Sequence, residues 1–134
     1  MTLSPEIYWL SLVTLFTSLM WVPYIINRML EMGLWPALYN PQPDTKPDSQ
    51  WATRMMRAHE NAIENLIIFA PLVIIVEITG SNSSISQFSV VMYFYARLIH
   101  FVVLTFGIPL IRVPAFLLGF VAQLLLVLNI LQIV

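Results

Sequence analysis

Residues 51–80 read WATRMMRAHENAIENLIIFAPLVIIVEITG. The stretch opens as a charged helix and closes as an apolar one. A helix advances about 100° per residue, so Arg54, Arg57, Asn61, Glu64 and Asn65 fall within roughly a 100° arc. Glu60 lies just beyond the edge of that arc, and His59 points well away from it. From Asn65 to Thr79 the only charged residue is Glu77. That run spans about 22 Å, less than the roughly 30 Å of a bilayer core. Asn61 and Glu64 are therefore expected inside one third of the membrane rather than in open water. Ionisable groups there are costly and face a bundle interior or a wet cavity. Two arginines, a carboxylate and two amides on one stripe suit a polar, charged ligand. The arginines would hold carboxylates, and the Glu and Asn would take an amine or peptide groups.

Composition sets the class. The chain has 134 residues, of which 59% are hydrophobic and 10% charged, with a mean hydropathy of +0.82. A soluble domain would carry about a quarter charged residues. The expectation is a single-domain integral membrane protein over residues 1–134, all-α, with four membrane-spanning helices. The net charge of −1 gives no reason to expect a nucleic acid partner. Without cysteine there is no disulfide, no Cys nucleophile and no thiolate metal site.

The other spans follow from the charges that bound them. The first is expected over 5–32. Ser4-Pro5-Glu6 reads as a capped helix start, and Pro23 should kink the helix by removing the bond to Leu19. Tyr24 and Arg28 share a face near its exit. Either they are an interfacial Tyr and a snorkelling Arg, or Arg28 reaches the stripe. Residues 33–50 read as a loop, because Pro36, Pro41, Pro43 and Pro47 forbid a long helix. Trp35 and Trp51 bracket it as interface anchors. The second span is 51–79, the third 85–107 and the fourth 113–133. In the third, Tyr93, Arg97, His100 and Leu104 share a face, and Arg97 needs a partner, for which Glu64 or Glu60 are the natural choices. In the fourth, Gln123, Asn129 and Gln132 read as helix–helix hydrogen bonds. Glu77 reads as a solvated helix end.

Basic residues orient the chain. Arg28, Lys46, Arg54, Arg57 and Arg112 lie in or beside the first and third connections, and the second has none. The positive-inside rule places the loops 33–50 and 108–113 in the cytoplasm and both termini outside. The end of the first span, the stripe and Arg112 should then meet at one membrane face.

The run Arg57-Ala58-His59-Glu60-Asn61, with Glu64, Asn65 and Phe69, resembles the helix-two signature of the MAPEG superfamily, the membrane-associated proteins of eicosanoid and glutathione metabolism. The likeness covers the whole chain, which is similar to a bacterial-type member and so expected in a bacterial inner membrane. It implies a homotrimer of four-helix bundles, with glutathione as co-substrate held between subunits. By resemblance, Arg57, Asn61 and Glu64 match the glutathione-holding Arg, Asn and Glu. Arg28 matches the Arg closing the first helix, and His100 a ligand-facing His or Tyr. Arg112 is the one candidate for the Arg that stabilises the glutathione thiolate. The implied activity is transferase or peroxidase chemistry on lipophilic electrophiles or hydroperoxides arriving from the bilayer. The chain also departs from the pattern. Leu104 stands where catalytic members carry a second Tyr, and Glu60 stands where some have Arg. Phe116 or Gly119 replaces a Tyr of the fourth helix. A non-catalytic, lipid-presenting protein or an accessory subunit of a larger membrane complex is therefore the competing expectation.

Overall fold

The computed structural model describes residues 2–39 and 46–134. Pro41, Pro43 and Asp44 of the predicted loop lie outside them. Among the described residues six helices occur in chain order: α1 Pro5–Leu19, α2 Trp21–Met32, α3 Leu34–Tyr39, α4 Gln50–Thr79, α5 Ser84–Thr105 and α6 Arg112–Ile130. Four helical stretches among the described residues are long and apolar enough to cross a membrane, with α1 and α2 together forming the first, Pro5–Met32.

Local chemistry explains the boundaries. The Ser4 hydroxyl accepts from the Ile7 amide at 3.2 Å, and Pro5 sits where a missing N–H is harmless. The first span breaks for one residue at Met20, because Pro23 has no N–H to give the Leu19 carbonyl. Gly33, at φ +85°, turns the chain into α3. This short helix corrects the reading of 33–50 as loop throughout. Pro36 falls in its first turn, where proline is tolerated. Glu31 then pins the far end of the connection, accepting from the Asp48 and Ser49 amides at 3.0 Å each. α4 has 30 residues and runs about 45 Å at 1.5 Å per residue, roughly 15 Å more than a bilayer core. It accommodates Pro71 and ends at left-handed Gly80. A reciprocal Ser83–Ser86 capping box starts α5.

The core joins α1, α4, α5 and α6 through Val13, Phe69, Val73, Val76, Val90, Tyr93, Ala122 and Leu126. The Phe69 and Tyr93 rings stack at 3.7 Å between centroids. Small residues bring α5 and α6 together: a Cβ on Gly119 would lie 3.9 Å from that of Ala96. Polar groups close the joint. Gln123 Nε2 donates to the Asn65 carbonyl at 3.1 Å, and Asn129 Nδ2 to that of Ser81 at 2.7 Å. The first is an expected inter-helix bond of the fourth span; the second ties α6 to the turn between α4 and α5, and Gln132 falls beyond its helix. Large apolar residues such as Leu15, Ile67, Ile78 and Leu117 are exposed, as a bilayer solvent requires and water would not.

Two acidic residues, Glu6 at the start of the first span and Glu77 near the end of α4, behave differently. Glu77 stays exposed and accepts from Ser4 Oγ at 2.7 Å and Asn82 Nδ2 at 3.1 Å. Glu6 is fully buried and accepts from Ser86 Oγ. Nothing in its sequence neighbourhood separates it from an ordinary first-turn acid.

Candidate functional site

The residues that share a face of α4 open onto a cleft of about 440 Å³ between α4, α5 and α6. Its wall consists of Arg57, Glu60, Asn61 and Glu64 from α4, His100 and Leu104 from α5, and Arg112, Val113 and Phe116 from α6. The volume lies within the roughly 300–1,000 Å³ of small-molecule sites. Spacings of three and four put Arg57, Asn61 and Glu64 on one side of α4, and α6 brings Arg112 opposite them. The side chains of Arg57, Glu60, Glu64 and Arg112 make no hydrogen bond to another described residue.

Behind the wall sits Arg97, only 3% exposed. Its Nη2 donates to Asn61 Oδ1 at 2.6 Å and lies 3.3 Å from His100 Nδ1. This corrects the expected pairing with Glu60 or Glu64. Burying two ions together carries two desolvation costs; here neutral acceptors serve the guanidinium and the carboxylates face the open cleft. The consequences for the wall are specific. Arg97 occupies the Asn61 oxygen, leaving the amide Nδ2 to donate. Arginine has no acceptor, so His100 Nδ1 accepts and its ring N–H is Nε2. Nε and Nη1 of Arg97 are buried without a partner.

Arg54 leaves the stripe. Its Nε donates to the Thr105 carbonyl at 2.9 Å, and it lines a second cavity of about 490 Å³ beside the 106–111 turn, which shares Leu104 and Arg112 with the cleft. His59 points away as expected and bonds to the Tyr24 hydroxyl at 2.8 Å. Tyr24 is therefore a packing contact between α2 and α4. Arg28 is half-buried on α2 and is not among the residues lining the cleft.

Five of the six predicted site residues thus meet in one cleft: Arg57, Asn61, Glu64, His100 and Arg112. Sequence reasoning missed Glu60 as a wall residue, since the helical wheel set it just outside the arc. Two cations, two carboxylates, an amide donor and an imidazole face an apolar patch of Leu104, Val113 and Phe116. That set complements a zwitterion with acid and amine groups on one side and an apolar reactant on the other.

A sequence model of the MAPEG family matches residues 7–132 of the chain. No curated protein and no solved structure matches it.

Proposed function

This chain belongs to the MAPEG family, and from that premise we propose that its cleft holds glutathione and presents the thiol to a lipophilic electrophile or hydroperoxide. The observation that carries the reading is the meeting of Arg57, Asn61 and Glu64 with His100 and Arg112 around one cleft. Arg57 and the Asn61 amide hold a glutathione carboxylate and a peptide oxygen, and Glu64 takes the ammonium group. Arg112 lies across the cleft from them. A guanidinium close to the sulfur favours thiolate over thiol, and the thiolate is the nucleophile. Attack on an electrophilic carbon forms the thioether, either by displacement, in which the leaving group departs with its bonding electrons, or by addition across an activated double bond, in which the proton given up by the thiol ends on the neighbouring carbon. Attack on a hydroperoxide oxygen breaks the O–O bond, releases the alkoxide, which takes a proton to leave as the alcohol, and leaves a sulfenic acid that a second glutathione converts to the disulfide with loss of water. The lipophilic partner enters from the bilayer against Leu104, Val113 and Phe116.

We also propose a homotrimer, with the loops 33–50 and 108–113 cytoplasmic and the termini outside in a bacterial inner membrane. The cleft is open on one side, and Arg28 of a neighbouring copy would close it. A second reading, a ligand-holding protein without transferase activity, is favoured by one observation: Leu104, which has no hydroxyl, lines the cleft at the position where the resemblance implies a tyrosine.

Calorimetry with glutathione on the detergent-purified protein, followed by thiolate absorbance in the ultraviolet, decides between them. Binding with a thiolate signal supports the enzyme. Binding without it supports the ligand holder. No binding overturns the glutathione reading.

A further inference from the structure

The second cavity is the feature that the cleft does not use. It is cationic: Arg54 and Arg112 both line it. Arg54 is held in place, because its Nε is bonded to the Thr105 carbonyl and its guanidinium packs on Gly107, where an added Cβ would lie 3.2 Å from Cζ. Its two Nη groups make no hydrogen bond to a described residue. The hydroxyl of Thr105 is likewise buried without a partner among the described residues. The surroundings are apolar and outward-facing. Phe106 is 70% exposed and Leu110 84% exposed on the same turn. A pair of guanidinium groups beneath an exposed apolar rim at the end of a membrane-spanning helix is an arrangement suited to an anionic headgroup whose acyl chains lie along the bundle.

We propose that the cavity between Arg54, Arg112 and the 106–111 turn seats the phosphate of an anionic phospholipid, and that this phosphate competes with the cleft for Arg112. Arg112 borders both spaces, so one guanidinium cannot fully serve a phosphate on one side and a thiolate on the other. The lipid thereby regulates the cleft. This second part rests on the glutathione reading; the lipid seat itself does not.

The test places the full chain in nanodiscs of phosphatidylcholine alone or of phosphatidylcholine with phosphatidylglycerol, and counts retained lipid by native mass spectrometry. Phosphatidylglycerol should be retained in preference to phosphatidylcholine. Arg54→Met should lower that retention roughly tenfold, the loss of one charge-assisted contact. Arg54→Lys, which keeps a point charge, should fall between. Lys46→Met removes an exposed cation outside the cavity and should change nothing. An equal loss in Lys46→Met would reduce the effect to bulk attraction and overturn the proposal. So would displacement of the lipid by glycerol phosphate at comparable concentration, which would make the seat one for a free anion. In wild type, phosphatidylglycerol should lower the glutathione thiolate absorbance several-fold relative to phosphatidylcholine, and in Arg54→Met it should not. An unchanged signal overturns the regulation. A chain that retains phosphatidylglycerol yet binds no glutathione in either disc keeps the lipid seat, and the glutathione reading and the regulation built on it both fall.

Discussion

Arg97 shows how one buried charge can organise a site without touching its contents. It takes the oxygen of Asn61 and a lone pair of His100, and so decides which hydrogen-bonding face each presents. Arg97→Met should leave the fold about as stable, since an apolar side chain of similar length replaces a partly unsatisfied guanidinium. Glutathione affinity should drop about tenfold, because Asn61 loses the bond that orients it. Calorimetry beside a denaturation curve in detergent separates these effects, and a lower midpoint with normal affinity would make Arg97 purely structural. Glu64→Ala is expected to abolish glutathione binding with little change in stability, because the Glu64 side chain makes no hydrogen bond to another described residue. Arg112→Met should keep most of the binding and lose the thiolate absorbance; retention of that signal would remove Arg112 from the reaction.

Among the elements, the termini of α5 carry the most information. Its start is closed by a two-serine box, with Ser83 also donating to Asn129 Oδ1 at 2.6 Å. Ser83→Ala should cost about 1 kcal/mol through the cap alone and more through the lost bond to α6, read as a shift in unfolding midpoint. Its other end runs into Gly107 and Leu110, both left-handed, at φ +68° and +71°. Gly107 combines that backbone with contact to Arg54, so the turn positions the cavity as well as reversing the chain. The 31–49 clip does the same for the first connection. Glu31→Ala should expose that segment to protease at a rate well above wild type, and equal rates would show that the connection is held elsewhere.

For the whole molecule, the apolar exterior and the polar cleft belong to one design in which lipid is the solvent. Helices pack through small residues and a few inter-helix hydrogen bonds because no hydrophobic force acts between helices already in lipid. Phe69 and Tyr93 stack at the centre, and Phe69→Ala should cost about 3–5 kcal/mol, measured by unfolding in mixed micelles. Light scattering of the detergent complex tests the proposed trimer: three chains per particle are expected, and a monodisperse monomer would remove the neighbouring Arg28 from the site.

The sequence by itself determined the class, the four spans, the kink before Pro23 and most of the cleft. Periodicity and hydropathy are local properties, and three-to-four spacing on α4 places Arg57, Asn61 and Glu64 together before any packing is known. Tertiary structure alone decided the partner of Arg97, the burial of Glu6 and the departure of Arg54 to its own cavity. Each depends on which groups neighbouring helices bring to the same depth. Spacing along a single helix carries no record of that depth: Glu60, Asn61 and Glu64 were all within a turn of the right place, and only packing against α5 selected Asn61.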